Sequence, residues 1–150
     1  MFSGQTFSQS DTVIQNDGFW PDLNLSEFQI ERAMSPNINN QLLRDAIVSA
    51  VVEINLTLEQ YKNKQMANGI TSAENCGVVS VGGVSSTVII YKKAVFARAK
   101  ADLLGEFVSI ASRDDKIGES QKEMKTALLA ESTREIRKLL GLRRCGVALI

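Results

Sequence analysis

The segment from about residue 37 to residue 66 has the clearest periodicity in the sequence, and it constrains the fold most. Its apolar residues recur at steps of three and four, the spacing of one buried helical face: Leu43, Ile47, Ala50, Ile54, Leu58 and Tyr61. The pattern predicts one helix of about 30 residues, roughly 45 Å long at 1.5 Å per residue. Gly69 is expected to end it.

A second apolar line runs along the same predicted helix. Val48, Val52 and Leu56 lie about 100° round from the first line, so one neighbouring helix cannot cover both. Either this helix is central to its own bundle, or the second line contacts another subunit. We take these three residues as candidate partner-binding residues.

A shorter helix is predicted ahead of the long one. Asn24 is a suitable N-cap, and the helix should end near Met34 because Pro36 disfavours helical geometry in the residue before it. Phe19 and Trp20 precede this helix. They fit a hydrophobic staple at the helix entry better than a docking site for a partner.

Residues 77–91 allow two interpretations. One is a hairpin turned at Gly82-Gly83, and the other is a glycine-rich loop feeding a helix capped by Ser85 or Ser86. We favour the loop, because the apolar residues from Val88 onward keep helical spacing as far as Ile110. Four alanines on this helix permit close packing of neighbouring helices: Ala94, Ala97, Ala99 and Ala101.

A last helix is predicted after a loop over residues 112–118. Ser120 and Glu123 have the spacing of a capping box, and Gly141 fits the C′ position that ends a helix. Basic residues near its C-terminal end are expected to stabilise the helix, because their positive charge offsets the negative pole of the helix dipole. Its inner face is expected to use Met124, Ala127, Leu128, Ile136 and Leu139.

The predicted fold class is all-α, a bundle of about four helices of which two or three are long. A flexible, polar N-terminal arm is expected over residues 1–18, the bundle over 19–141, and an extended tail over 142–150. The tail is too apolar for a solvated end and too short for a core of its own. It should dock on its own domain or on another chain.

Charge is distributed unevenly in this chain of 150 residues, although the formal net charge is zero. Residues 1–60 hold eight acids and two bases, whereas residues 61–150 hold nine acids and fifteen bases. This polarity either orients like subunits in a ring or reflects oppositely charged helices packed within one subunit. A neutral chain argues against general affinity for nucleic acid.

The sequence lacks most catalytic apparatus. It contains no histidine, no glycine-rich loop followed by Lys-Ser/Thr, and no CxxC pair, since Cys76 and Cys145 are isolated. We therefore predict no catalytic, cofactor-binding or metal-binding residues and no enzymatic activity. No apolar run approaches the ~20 residues of a membrane span, so no membrane partner is expected, and a reduced cytosolic protein is the default.

Several stretches, taken in order, resemble one family. They are Phe19-Trp20-Pro21-Asp22, Leu43-Arg44-Asp45-Ala46-Ile47, Glu53-Ile54-Asn55, Tyr91-Lys92-Lys93-Ala94-Val95, and Arg143-Arg144-Cys145-Gly146-Val147 with Ile150 at the end. In their order and spacing they are similar to the head-completion protein family (gpL type) of temperate, contractile-tailed bacteriophages. The chain differs from that pattern in a shorter aromatic run before Pro21, in residues 70–87, and in Arg143-Arg144 where Pro-Arg is expected.

The resemblance implies a structural protein of the virion, made in the host cytoplasm and located at the neck between head and tail. Members of this kind add to the portal vertex after DNA packaging, seal the filled head and provide the surface to which the tail joins. The implied partners are the portal protein, neighbouring copies in a ring under the twelvefold portal, and a tail or tail-terminator (stopper) protein. Packaged DNA would pass through the ring without sequence-specific binding, and no cofactor is implied.

The tail supplies the remaining candidate partner-binding residues. Val147, Leu149 and Ile150 have few neighbours to bury them, so we expect an extended segment that adds to a strand or groove of the portal or an adjacent subunit. Arg143 and Arg144 would anchor its base on carboxylates. The alternative is a tail that folds back on its own bundle.

A different class of function remains open from the residues alone. A helical DNA-binding or DNA-packaging accessory protein would use Lys92, Lys93, Arg98 and Lys100, or the C-terminal arginines, on phosphates. Against it stand the neutral charge and the acids Asp102 and Glu106 on the same helix.

Overall fold

The computed structural model of the chain describes residues 12–110 and 115–143. Within these ranges the fold is mainly α-helical, which confirms the predicted class, and it adds two small antiparallel sheets. The helices are α1 (Leu25–Glu31), α2 (Asn40–Thr57), α3 (Glu59–Ala67), α4 (Ser86–Ile110) and α5 (Asp115–Leu139). The strands are β1 (Val13–Ile14) with β2 (Leu23–Asn24), and β3 (Ser80–Val81) with β4 (Val84–Ser85).

Helix α4 is the centre of the bundle. Its Tyr91 hydroxyl bonds to Asn55 of α2, its Phe96 ring lies 5.2 Å from Phe28 of α1, and its Ala94 carbonyl accepts from Ser132 of α5. These three contacts lie on different sides of α4, so α4 packs against three other helices. The predicted alanines of this helix are fully buried, as expected for close helix packing. The predicted long helix, represented here by α2 and α3, is therefore peripheral and not central.

The single long helix predicted over residues 37–66 is wrong in one respect, because it breaks at Leu58. The Thr57 hydroxyl donates to the Glu53 carbonyl (3.0 Å), a back-bond that bends helices. The Leu58 N–H is shared between the carbonyls of Ile54 and Leu56, and the Leu58 side chain is fully buried. No glycine or proline marks this bend in the sequence.

Each interpretation of residues 77–91 holds in part: β3 and β4 form a short hairpin, and α4 begins at Ser86, as the favoured loop-and-helix interpretation requires. Gly82 and Gly83 both have positive φ, as a two-residue type I′ turn requires. The second strand ends at Ser85, whose hydroxyl accepts from the Thr87 N–H and so caps α4 as predicted. The turn signal at Gly82-Gly83 and the helical spacing from Val88 were thus both valid, because they belong to adjacent segments.

Helix α5 begins earlier than the sequence predicts. It is already helical at Asp115, so Ser120 and Glu123 are exposed interior residues and do not form a capping box. Its C-terminus confirms the prediction: Gly141 has φ +71, and the Leu142 N–H donates to the Arg137 carbonyl (2.9 Å) in a Schellman-type end.

The inner face of α5 differs in part from the prediction. Leu128 and Leu139 are buried and Ile136 is half-buried, but Met124 and Ala127 are exposed. Ser132 and Glu135 take the remaining inner positions. Polar residues can do so here because Ser132 bonds the Ala94 carbonyl and Glu135 pairs with Lys138 (2.8 Å).

The arm predicted for residues 1–18 does not extend over residues 12–18, which pack on the bundle. Strand β1 pairs with β2, and the Leu25 N–H donates to the Thr12 carbonyl (3.0 Å). Asn24 caps α1 as predicted, accepting from the Ser26 N–H, and α1 ends at Glu31, three residues before Met34. Residues 1–11 lie outside the described residues.

Candidate interaction surfaces

The second apolar line of α2 faces away from the rest of the subunit. Val48, Val52 and Leu56, which we call the outer line, are 41%, 55% and 69% exposed, whereas the inner residues of α2 are almost fully buried. Residues four apart lie side by side on one helix face, so the outer line is a continuous apolar strip. The structure places these three predicted residues together on an accessible surface.

Phe19 and Trp20 are part of the core, in keeping with the structural interpretation of this pair. Both are at most 3% exposed, and their rings meet edge-on at 5.0 Å. The Trp20 ring stacks on Tyr91 (4.4 Å) and on Tyr61 (5.9 Å), which ties the N-terminal segment to α4 and α3. They offer no surface to a partner.

A partly buried polar network fixes the N-terminal segment to two helices. The Tyr91 hydroxyl donates to Asn55 Oδ1 (2.6 Å) and accepts from Asn16 Nδ2 (2.9 Å), while Asn55 Nδ2 donates to Asn16 Oδ1 (2.8 Å). Burial raises the pKa of Tyr91 well above its ordinary value, so the hydroxyl stays protonated. This network is structural.

The basic side chains of the DNA-binding alternative are engaged within the chain. Lys92 pairs with Glu27 (3.0 Å), Arg98 with Glu53 (3.0 Å), and Lys93 with Glu135 (3.7 Å). Lys100 Nζ donates to the Arg32 carbonyl (2.7 Å). Phosphates would have to compete with these acceptors, which argues against a DNA-binding face on α4.

Ion pairs also account for the charge asymmetry of the sequence. The pairs Lys92–Glu27 and Arg98–Glu53, with Lys62–Asp17 (2.8 Å), join acids of the first 60 residues to bases of the rest. Oppositely charged elements therefore pack within one subunit.

A bidentate pair fastens α1 to α5. Both guanidinium nitrogens of Arg32 donate to Glu131, at 2.9 and 3.1 Å, and Nη2 also reaches the Lys93 carbonyl (3.1 Å). The Arg32 guanidinium lowers the pKa of Glu131 below its ordinary value, against the opposing effect of burial. Arg32 therefore links α1, α4 and α5.

Sequence reasoning missed a groove beside the β3–β4 hairpin. The groove has a volume of about 570 Å³ and lies among α1, α4, α5 and the hairpin. One wall is apolar, with Val81, Val84 and Ile89 at 68%, 44% and 43% exposed. The rest of the lining is charged and mixed in sign: Glu27, Glu31, Arg32, Lys92, Lys93 and Glu131. The signal in the sequence was the valine-rich run around Gly82-Gly83, which a buried strand would equally explain.

Most of the tail lies outside the described residues, including the candidate residues Arg144, Val147, Leu149 and Ile150. Arg143 is described and exposed, and its carbonyl accepts from Arg137 Nη2 (3.0 Å). The structure therefore places only the base of the tail, beside the C-terminus of α5.

The residues that the structure describes contain neither a cluster of metal ligands nor a helix suited to a membrane span. No group of three or more His, Cys, Asp or Glu side chains there is arranged to hold a metal ion. None of the described helices combines the length and apolar character needed to cross a membrane.

Comparison with known proteins identifies the family. The model of the phage head completion protein (GPL) family matches residues 14–150, nearly the whole chain. The chain belongs to this family. Its members are phage structural proteins and not an enzyme class, so membership implies a component of the virion.

Two curated GPL relatives agree with this assignment. The chain is 35% identical over 150 residues, all of both chains, to a probable head completion/stabilization protein of Haemophilus phage HP1 (strain HP1c1). It is 27% identical over 140 residues to the head completion/stabilization protein of Escherichia phage P2, covering 92% of this chain and 83% of the relative. No solved structure matches the chain.

Proposed function

We propose that this protein is a head–tail adaptor that adds to the portal vertex after DNA packaging, stabilises the filled head and offers the surface to which the tail joins. Its partners would be the portal protein, neighbouring copies in a ring that follows the twelvefold portal, and a tail-side protein. Packaged DNA would pass through this ring without being read. Membership of the head completion family supports the role, and the exposed outer line of α2 is the observation that carries the proposed contact.

The outer line is suited to a contact between protein subunits. A charged or polar surface is the default for the outer face of a peripheral helix, yet Val48, Val52 and Leu56 leave an apolar strip open to water. The subunit core beneath it is complete without these side chains, since Leu43, Ile47 and Ile54 already fill the inner face. Folding of the monomer therefore removes little of the strip's apolar surface from water, and a partner that covers the strip would remove more.

The area of this strip sets the strength of the contact. Three aliphatic side chains expose much less than the ~800 Å² per partner of a standard stable interface. Copies of the subunit should therefore associate weakly in solution and assemble when a template holds them side by side. Filled heads with an exposed portal would be that template.

Filled heads that lack this protein provide the test. Adding the wild-type protein should protect packaged DNA from nuclease and restore tail joining, whereas Val52→Asp should fail in both because it places a carboxylate in the contact. Met66→Asp is the matched control, since Met66 on α3 is 48% exposed and lies outside the outer line. Equal activity of all three proteins would contradict a role for the outer line.

The tail makes a second, separate contribution in this proposal. Arg143 and Arg144 would form charge-assisted hydrogen bonds with carboxylates, and Val147, Leu149 and Ile150 would occupy an apolar site on the portal or an adjacent subunit. Removing residues 143–150 should leave the melting temperature unchanged and abolish attachment to heads. A truncated protein that melts much earlier would favour a tail folded on its own bundle.

A further inference from the structure

The groove beside the β3–β4 hairpin has the properties of a peptide-binding site. Its volume of about 570 Å³ falls in the ~300–1,000 Å³ range of sites that enclose ligands. The side chains of Val81, Val84 and Ile89 form an apolar wall that water reaches, and Val78 and Val79 extend the apolar surface along the hairpin. This space suits a few aliphatic side chains of an extended segment.

The charged lining of the groove consists of three acids (Glu27, Glu31 and Glu131) and three bases (Arg32, Lys92 and Lys93), and one of the acids lacks an ion pair. Glu27 pairs with Lys92 and Glu131 pairs with Arg32, but among the described residues Glu31 has no ion pair. Burial and the negative charge of Glu27 raise the pKa of Glu31, and the nearby charges of Lys92 and Arg32 offset this only in part. A cationic group entering the groove would relieve this repulsion.

The tail carries the matching chemistry. Its two arginines stand at residues 143 and 144, and its aliphatic residues follow within six positions. An extended chain advances by about 3.3 Å per residue, so residues 144–150 reach about 23 Å from Arg143. One end of this segment fits the carboxylates of the groove and the other fits the valine wall.

The base of the tail is held on a different face of α5 from Glu131, the residue of this helix that lines the groove. Helices α4 and α5 are antiparallel, so the tail leaves at the same end of the molecule as the hairpin. The Arg143 carbonyl is held by Arg137, which lies about 180° round α5 from Leu128, the residue that packs on α4. To reach its own groove, the tail would have to turn back around α5.

We propose that the groove formed by Val81, Val84, Ile89, Glu27 and Glu31 binds residues 144–150 of a neighbouring copy of this chain. This inference rests on the proposed ring, and it names the surface that receives the tail. Because the donated and receiving surfaces differ, the contact is heterologous, which is the type that generates closed rings. Arg144 would lie against Glu31, and the aliphatic end would lie against the hairpin.

A peptide titration tests the site without heads or portal. A fluorescently labelled peptide of residues 142–150, with serine in place of Cys145, is titrated with the full-length Cys145→Ser protein and followed by anisotropy. We expect saturable binding that weakens about tenfold in Val84→Asp and in Glu31→Lys. The matched controls Met66→Asp and Glu59→Lys, both at exposed positions of α3, should bind the peptide normally. No saturable binding to the parent protein, or equal binding by all variants, would overturn the proposal.

A disulfide test distinguishes the neighbour's tail from the subunit's own. The natural Cys145 lies in the tail, while Cys76 is buried and 3% exposed, which leaves it poorly reactive. A tagged Val84→Cys, Cys145→Ser chain is mixed at high concentration with an untagged Val147→Cys, Cys145→Ser chain under mild oxidation, because Val147 belongs to the aliphatic end that lies against the hairpin. We expect a mixed disulfide between the two chains, and none when Met66→Cys replaces Val84→Cys. An intrachain disulfide in a single chain that carries Val84→Cys, Val147→Cys and Cys145→Ser, without disulfide-linked dimers, would overturn the proposal.

These results separate the groove from the proposed function. Head completion that survives in proteins that cannot bind the peptide would overturn the groove proposal alone. Normal peptide binding by a protein that never attaches to filled heads would contradict the proposed function alone.

Discussion

At the scale of single residues, the subunit depends on a few polar side chains that sequence periodicity does not reveal. Asn16, Asn55 and Tyr91 complete one another's hydrogen bonds across three elements, and Arg32 connects α1 to α5 through Glu131. Buried polar groups stabilise a fold only when every partner is present. Each of these residues therefore has a testable contribution.

Tyr91→Phe should destabilise the subunit by about 1 kcal/mol, because it leaves Asn55 Oδ1 and Asn16 Nδ2 without their shared partner in a partly buried site. The ring stacking on Trp20 would be retained. Thermal unfolding followed by circular dichroism measures the effect against the wild-type protein. A melting temperature equal to that of the wild type would contradict the role of the network.

Glu131→Gln should change how stability depends on pH. The pKa of Glu131 is lowered in the folded state, so its pairing with Arg32 stabilises the fold above the unfolded pKa, near 4.5, and is lost as pH falls through the folded value. The variant should therefore be less stable at neutral pH, and the difference should shrink below about pH 4. Urea unfolding at several pH values tests this. A difference that stays constant with pH would contradict it.

At the scale of elements, α2 has two faces with different roles. Ile54 is 2% exposed on the inner face, whereas Val52, two residues away, is 55% exposed on the outer line. The distinction between these positions follows from 3.6 residues per turn alone. The same substitution, an aspartate at either position of this helix, tests the distinction.

Ile54→Asp should unfold the subunit, since an unpaired carboxylate in the core costs several kcal/mol. Val52→Asp should keep the helical circular dichroism of the wild type and lose only assembly. Equal loss of helical signal in both variants would show that the outer line belongs to the core.

The sequence predicted helices well where one apolar face repeats, as in α2 and α4. It failed where a local hydrogen bond or turn decides the geometry. The helix break at Leu58, which follows the Thr57 back-bond, has no sequence signal stronger than the periodicity running through it. The hairpin at Gly82-Gly83 competes with the helical spacing that begins only a few residues later. The start of α5 was misplaced because Ser120 and Glu123 fit a capping box equally well in an exposed helix interior.

The candidate site was predictable only in part. The outer line followed from spacing, because two apolar lines on one helix exceed what one neighbour covers. The groove was not predictable, because it combines α1, α4, α5 and a hairpin that are distant in sequence. Pairing of Lys92, Arg98 and Glu131 likewise depends on tertiary contacts that composition does not give.

At the scale of the whole molecule, the two exposed apolar surfaces lie on different sides of α4. Tyr91 faces α2, while Ile89 and Lys93 of the groove are each two residues, or about 200°, round the helix from it. A subunit with separate surfaces on opposite sides can contact two neighbours at once. This is the geometry that a ring of identical subunits requires.

The free protein should be a monomer or a small oligomer, since each surface alone is too small for a stable interface. Light scattering at increasing concentration measures the mass in solution. A stable large ring in the absence of portal would contradict assembly on a template.

Imaging of the purified protein mixed with portal rings from its own phage tests the adaptor role most directly. We expect a ring of this chain on one end of the portal, with the symmetry of the portal and with Val48, Val52 and Leu56 covered by a neighbouring chain. A portal that remains bare at concentrations where filled heads are completed, with the protein bound instead elsewhere on the head shell, would contradict the account.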